Sequence, residues 1–334
     1  DRLVREAHRR QRRPQLPVLE SQYADYVRRQ IELLEGPEGE RLWNYWQRQL
    51  GTNVPVLDLP SDRPRPPVQS HRGTAYTFRI DPALTQRVKT VAHDAGATLY
   101  ATLLAVFQVL LYRYSGQESF TVGSPASGRN SAALTYLVGY FVNPLVIRAD
   151  LSGNPSFAEL LARVRRTALD ALGHQAFPFA LLVQRLQPER DLSRTPLFQT
   201  MFVFQPSQVL NSFATGEAGS KVKSGDLTLE SMAFTQRTTL FDLRLTMTEA
   251  DDMLLASFEY STDLFDEDRI RRMAGHFETI LANILNDPLQ RVSELSFLTP
   301  AEQDQLVVEW NATSVDYPRG QCMHELFEAQ AART

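Results

Sequence analysis

The sequence predicts a mixed α/β fold, and three observations carry that expectation. Helix-period and strand-period segments alternate through the first half, three strand-like runs follow one another late in the chain, and 43% of the 334 residues are hydrophobic, enough for a substantial core. That length fits one large domain or two modest ones.

Between Tyr23 and Leu50 the residues Tyr26, Ile31, Leu34, Leu42, Tyr45, Trp46 and Leu50 recur at helical spacing. Gly36-Pro37 interrupts them, which predicts two helices with a short break. Val56–Pro67 reads VLDLPSDRPRPP; its prolines exclude a long helix and favour an extended connector. Tyr76, Phe78 and Ile80 fall on alternate positions, predicting a strand, and Pro82 suits the first turn of a helix running to about Ala95. Thr98–Tyr114 predicts a second helix, apolar on most sides and therefore buried beneath other layers. Further strands are expected at Ser119–Gly123, Phe141–Arg148, Leu197–Phe204, Leu227–Ala233, Phe241–Thr246 and Leu254–Tyr260, with helices at Ser156–Leu172 and Asp266–Leu285. Gln205–Gly225 is polar and contains glycine, and reads as a mobile loop. No internal repeat at a fixed period is present.

The net charge of −4 argues against polyanion binding, so no nucleic-acid partner is expected; the local run Arg2, Arg5, Arg9, Arg10, Arg12 and Arg13 reads as a solvated helix face or a frayed start. Cys322 is the only cysteine, which leaves no internal disulfide or cysteine-rich metal site and points to a reducing, cytoplasmic setting. The apolar stretches Leu103–Leu111 and Phe179–Val183 fall well short of the roughly 20 residues that span a bilayer, so no membrane partner is expected. Nothing reads as a signal peptide. His324-Glu325 starts like a zinc-protease motif, but Glu328 stands where the second histidine belongs, and no metal is expected. Phosphate loops, nucleophile elbows and cysteine–histidine pairs are likewise missing.

Four separated motifs occur in order: Gln22-Tyr23-Ala24-Asp25-Tyr26, Val138-Gly139-Tyr140-Phe141-Val142-Asn143, His174-Gln175-Ala176-Phe177-Pro178-Phe179, and Arg190-Asp191-Leu192-Ser193-Arg194-Thr195-Pro196-Leu197-Phe198-Gln199. Together they resemble the later signature motifs of the condensation domains of nonribosomal peptide synthetases, with Ala176 standing where that family usually has aspartate. Leu59–Pro66 and Gly123–Arg129 are similar as well, and the resemblance covers about residues 20–300. Trp310-Asn311-Ala312-Thr313, Tyr317-Pro318 and His324–Glu328 resemble the lead-in to an adenylation domain.

The resemblance implies a chloramphenicol acetyltransferase-like two-lobed sandwich with the first lobe largely missing. It divides the chain into a remnant of the first lobe at 1–55, an inter-lobe connector at 56–72, the second lobe at 73–297, and a linker with the start of an adenylation domain at 298–334. It implies amide formation between a carrier-bound acyl or peptidyl thioester and a carrier-bound aminoacyl amine. The partners implied are upstream and downstream carrier domains, the adjacent adenylation domain and the missing first lobe; no cofactor is bound directly, since the substrates ride on the phosphopantetheine of the carriers.

In that family the catalytic histidine is the second of a His-His-x-x-x-Asp-Gly motif. His8, His71, His93, His174, His276 and His324 are the histidines here, none adjacent to another, so no catalytic residue is assigned. The resemblance makes Asn143, His174, Gln175, Arg190, Asp191 and Arg194 substrate-channel candidates. All but Gln175 have a structural alternative: a partnerless histidine, a strand-end asparagine, and an ion-paired loop serving as scaffold. Phe141, Phe177, Phe179 and Phe198 read as core. Two other functions remain open: a noncatalytic carrier-binding or scaffold module, and an epimerization-type relative.

Overall fold

The computed structural model describes residues 19, 21–51, 54–129, 131–189, 191–205, 221–224, 227–230, 236–250, 252–314 and 320–333. The basic run near the start, Arg190 and Tyr317-Pro318 lie outside them. The chain divides into two compact units, Asp1–Phe297 and Leu298–Thr334.

The first unit opens with helices α1 (Tyr23–Glu35) and α2 (Pro37–Leu50), broken at Gly36 as the Gly-Pro pair predicts. Strand β1 (Gly73–Ile80) leads to α3 (Pro82–Asp94), which starts because Asp81 Oδ1 accepts from Ala83 N at 2.8 Å and Pro82 fills the first position. Next comes α4 (Leu99–Ser115), capped by the Thr98 hydroxyl accepting from Ala101 N. Every residue from Ala101 to Leu111 is buried, so the all-round apolar pattern marks the central helix of the core. Strands β2 (Ser119–Ala126) and β3 (Asn143–Asp150) form an antiparallel pair, followed by α5 (Phe157–Gly173), α6 (Phe179–Leu186) and β4 (Thr200–Gln205). A Ser156–Glu159 capping box begins α5. The unit closes with the ribbon β5 (Lys221–Ser224) and β6 (Leu227–Glu230), the hairpin β7 (Leu243–Ala250) and β8 (Met253–Ser261), and α7 (Glu267–Asn286).

The main sheet has the order β1-β8-β7-β4-β2-β3, antiparallel except where β4 runs parallel to both β7 and β2. One face carries Phe202, Leu245 and Phe258 in register, and Phe107 of α4 packs on Phe202 and Phe258. The buried stripe Ile270, Met273, Phe277, Ile280 and Ile284 of α7 joins that layer, with Phe277 against Phe78. On the other face Phe198 lies over Gly123, and Arg148 of β3 reaches Gln49 O at the end of α2.

One element departs from the sequence expectation, and one lies where the sequence predicted no element. The expected loop Gln205–Gly225 contains β5, a Lys-Val-Lys-Ser strand that pairs Lys221 with Glu230; a four-residue run with a single apolar residue offers no alternation to read in the sequence. The short apolar stretch at Phe179–Val183 is the first part of α6, which is too brief for its helical period to separate from a strand.

The proline-rich connector is pinned rather than loose. Asp62 Oδ1 accepts from Arg269 Nε at 2.7 Å, and Arg63 pairs with Asp266 and donates to Thr262 O at 2.8 Å. Arg65 makes a bidentate pair with Asp242, at 2.9 and 2.5 Å, and also donates to Ser193 O at 3.0 Å. Among the described residues no single helix is long and apolar enough to cross a membrane.

The second unit holds α8 (Pro300–Asp304), which runs into a π turn at Gln305–Glu309, and α9 (Met323–Ala331). Val307, Trp310 and Phe327 are exposed.

Candidate functional site

Two clefts lie at the carboxyl end of β2, and the smaller one also reaches Phe204 near the end of β4. These strands run parallel, and the crevice beyond the carboxyl ends of parallel strands is where open α/β sheets place ligands. The larger cleft, ≈ 530 Å³, is lined from α1 by Tyr23, Tyr26, Arg29, Gln30 and Leu33, and from the opposite side by Phe141, Asn143, Gln175 and Phe179. The second, ≈ 360 Å³, is lined by Tyr100, the Ser124–Ala126 end of β2, Ser127, Arg129, Leu172, Gln175 and Phe204. Gln175 belongs to both walls.

Tyr23 and Tyr26 stand one helical turn apart and so share a face of α1. Phe141 packs edge-on against both, at 5.3 and 4.7 Å between ring centres, and Tyr23 Oη donates to Tyr140 O at 2.8 Å. Burial pushes the Tyr26 phenol up, with the neighbouring Tyr23 adding to it. Gly139 is needed here because a Cβ would sit 2.3 Å from the Tyr23 ring. Behind the loop, the Arg129 guanidinium lies 4.3 Å from the Phe141 ring centre and donates to Leu134 O. The loop tip is left exposed, with Val138 at 93% and Tyr140 at 73%.

Gly128 sets the approach of this loop. Its φ is +67°, and a Cβ would fall 1.9 Å from Phe141 O. Gly128→Ala is therefore expected to cost about 1–3 kcal/mol from the backbone conformation alone, and to loosen residues 131–142. Thermal melts read the first effect and amide exchange across that loop reads the second.

Asn143 opens β3 with its side chain fully engaged. Nδ2 donates to Gln175 O at 2.9 Å and to Phe177 O at 2.8 Å, while Oδ1 accepts from Phe179 N at 2.9 Å. The amide clamps the 175–179 segment and supplies α6 with the cap that Pro178 cannot, so its work is to shape the cleft wall. Phe141, Phe177 and Phe198 are buried as core, although Phe141 also lines the larger cleft, as does the half-buried Phe179.

His174 faces α2 and lines neither cleft. Its Nδ1 lies 2.6 Å from Asp170 O and its Nε2 lies 2.8 Å from Arg41 Nη1, and the ring stacks on Tyr45 with centres 3.8 Å apart. A carbonyl only accepts and a guanidinium only donates, so the proton sits on Nδ1 and the Nε2 lone pair is taken. Such a histidine ties α2 to the end of α5 and offers no free base. Arg41 also donates to Glu38, which holds the Glu38 carboxyl below its ordinary value. Burial pushes the Tyr45 phenol up, and its oxygen has no hydrogen-bond partner among the described residues.

Asp191 and Arg194 line neither cleft. Arg194 reaches Asp58 at 3.1 Å and Asp191 at 3.5 Å, joining their loop to the connector. Hydrogen bonds from Ser193 hold the Asp191 carboxyl below its ordinary value. Of the six candidates, the structure thus brings Asn143 and Gln175 to one cleft, sets His174 behind it, and keeps Asp191 and Arg194 at the connector; Arg190 lies outside the described residues. Sequence reasoning missed Tyr23 and Tyr26 as lining residues, although their spacing on one helix face was a usable signal. It also missed Tyr100, which donates to Ser124 Oγ at 2.9 Å, and whose phenol burial pushes up. Among the described residues no group of three or more His, Cys, Asp or Glu side chains is placed to hold a metal ion.

A family model described as Condensation domain matches residues 6–307. The chain is 43% identical to a linear gramicidin synthase of Brevibacillus parabrevis over 330 residues, which is 99% of this chain and 6% of that protein. Among solved structures it is similar to the X-domain in a complex of the X-domain and OxyB from teicoplanin biosynthesis, with TM-score 0.76, 25% identity, and coverage of 89% of this chain and 65% of that one. It also matches a four-domain nonribosomal peptide synthetase in the holo form bound to AMP and glycine, with TM-score 0.74 and 25% identity over 80% of this chain and 21% of that one. The chain therefore spans a small fraction of the curated relative it matches.

Proposed function

The chain belongs to the condensation-domain family, and from that premise we propose that it forms one side of the channel in which two carrier-bound substrates are joined by an amide bond. In this reading residues 73–297 are the second lobe, 1–55 are what this chain holds of the first, 56–72 connect them, and 298–334 lead toward an adenylation domain, all at work in the cytoplasm. The observation that supports it is the pair of clefts that share Gln175 as a lining residue; in this reading each cleft takes one tethered reactant.

The amine nitrogen of the acceptor attacks the thioester carbonyl of the donor. The C–N bond forms, the C–S bond breaks, and the proton leaving the amine ends on the departing pantetheine thiolate. Holding two tethered reactants in line removes an entropic barrier of up to about 7–11 kcal/mol, and shaping that alignment is the task the Asn143 clamp and the Tyr23–Tyr26–Phe141 cluster suit. A histidine on the other lobe would add about 10²–10⁴-fold by handling the amine proton; His174, bound on both ring nitrogens, does not serve.

A second reading, a noncatalytic docking module, draws on the X-domain relative solved with OxyB. Mass spectrometry of loaded donor and acceptor carriers, mixed with this chain and a separately supplied first lobe, separates the two. Amide product that requires both pieces supports condensation. Carrier binding without product supports the docking module, while an inverted α-carbon without a new amide would identify an epimerization-type relative. Product from this chain alone would overturn the assignment of the histidine to the other lobe.

A further inference from the structure

The larger cleft carries one charge and nothing to balance it. Along α1, Tyr23, Tyr26, Gln30 and Leu33 recur at three- and four-residue spacing on the side that lines it, and Arg29 joins them one turn beyond Tyr26. Arg29 is the only charged residue among the described lining residues, and it is exposed. It has no ion-pair or hydrogen-bond partner among the described residues. The other charges of this helix are committed or stand elsewhere. Asp25 holds Arg28 at 2.6 Å and accepts from Gln22 N at 2.7 Å, while Glu32 forms no ion pair with Arg29 and does not line the cleft.

Two neutral groups stand with that charge. The Tyr26 phenol oxygen and the Gln30 side-chain amide have no hydrogen-bond partner among the described residues, although both residues are half-buried. Tyr26 lies three residues from Arg29 and four from Gln30, so phenol, guanidinium and amide form a patch of donors on one helix face. The Tyr26 ring is held by Phe141 and Tyr23, with ring centres 4.7 and 5.8 Å away, and its hydroxyl has little freedom left to lose. Much of the remaining lining is apolar, including Phe141, Phe179, Leu134 and Pro144. Sites for small molecules combine such walls with a few polar groups that orient and select. The smaller cleft has no comparable patch, since Arg129, the one charged residue described there, lies over Phe141 and donates to Leu134 O.

We propose that the larger cleft selects its reactant by charge: it takes an aminoacyl or peptidyl group whose side chain has an aromatic or branched apolar body and an acidic end, and it turns away the cationic counterpart. The assignment rests on the condensation reading and names the substrate class of one of its two clefts. The body of the side chain packs among Tyr26, Phe141 and Phe179. Its carboxylate accepts a charge-assisted bond from the Arg29 guanidinium and a second bond from Tyr26 Oη. An ammonium in the same place meets a like charge and finds no carboxylate among the described lining residues. Attraction and rejection therefore come from the same side chain.

The test titrates the full chain, by calorimetry at low and high salt, with pantetheine amides that replace the labile thioester and share one aromatic body. The acyl groups are para-carboxyphenylalanine, phenylalanine and para-aminomethylphenylalanine, so the series differs mainly in charge. Wild type is expected to bind the acid at least tenfold more tightly than the amine, with phenylalanine between them, and salt is expected to narrow the gap. Arg29→Gln is expected to bring the affinities within about twofold of one another, Arg29→Glu to reverse their order, and Tyr26→Phe to weaken the acid alone. Arg166→Gln, which removes an exposed and unpaired charge from α5, is expected to leave the order unchanged. Arg29 is exposed, and circular dichroism checks that its variants fold. Equal affinities in wild type, or an order that survives Arg29→Gln, would overturn the charge selection and leave the condensation reading standing. Absence of binding by every analogue, with amide still formed in the reconstituted reaction, would do the same. Absence of both binding and product would overturn the two together.

Discussion

Replacing Asp242 by alanine is expected to lower the unfolding free energy by about 3–5 kcal/mol, the cost of leaving one member of a buried ion pair alone. Asp242 is buried at 4% exposure and accepts both forks of Arg65, whose remaining contact is Ser193 O. Burial pulls the Arg65 guanidinium down and the bonds to Asp242 outweigh it, leaving it above its ordinary value. Once the carboxylate is gone, the guanidinium keeps its desolvation cost and loses its compensation. Urea titrations of Asp242→Ala, Arg65→Ala and the double variant form the cycle that isolates the pair. The double variant should cost clearly less than the sum of the singles. A loss below about 1 kcal/mol in Asp242→Ala, or simple additivity, would show that this pair holds nothing together.

Asn143→Asp is the second large effect. The substitution keeps the shape and turns the donor that faces Gln175 O and Phe177 O into a second acceptor. Two hydrogen bonds are lost at about 1–3 kcal/mol each, with repulsion added. The 175–179 segment should come away from β3, raising amide exchange at Phe177 and through the first turn of α6, and in the reconstituted reaction lowering product formation with the cleft wall. Asn143→Asp with wild-type stability and wild-type exchange at α6 would show that the clamp is incidental.

Much of the architecture was legible because local chemistry and tertiary fold agree. The Gly36-Pro37 break, the Asp81-Pro82 start and the all-apolar α4 each declare themselves within a few residues. What stayed hidden depends on contacts distant in sequence. Arg65 and Asp242 are 177 residues apart, and neither is unusual in its own neighbourhood. Asn143 stood out by motif, but its partners are main-chain atoms 32 to 36 residues away, and backbone partners leave no trace in side-chain identity. His174 attracted attention for the same reason and has a different duty, since only the fold reveals that Arg41 and Asp170 O occupy its two nitrogens. Tyr23 and Tyr26 were visible as a helix face, and the loop that completes their cleft was not.

The anchored prolines have a mechanical consequence. A segment fastened by Arg63, Arg65 and Asp62 to the β8–α7 corner and to Asp242 travels with the sheet as a strap and is a poor hinge. Leu42, Trp46 and Leu50 of α2 are sunk into the same core, so the swivel point does not lie just upstream either. Changes in aperture then fall to the aromatic loop beyond Gly128 and to rotamers at Gln175, movements of a few atoms that a single side chain can tune.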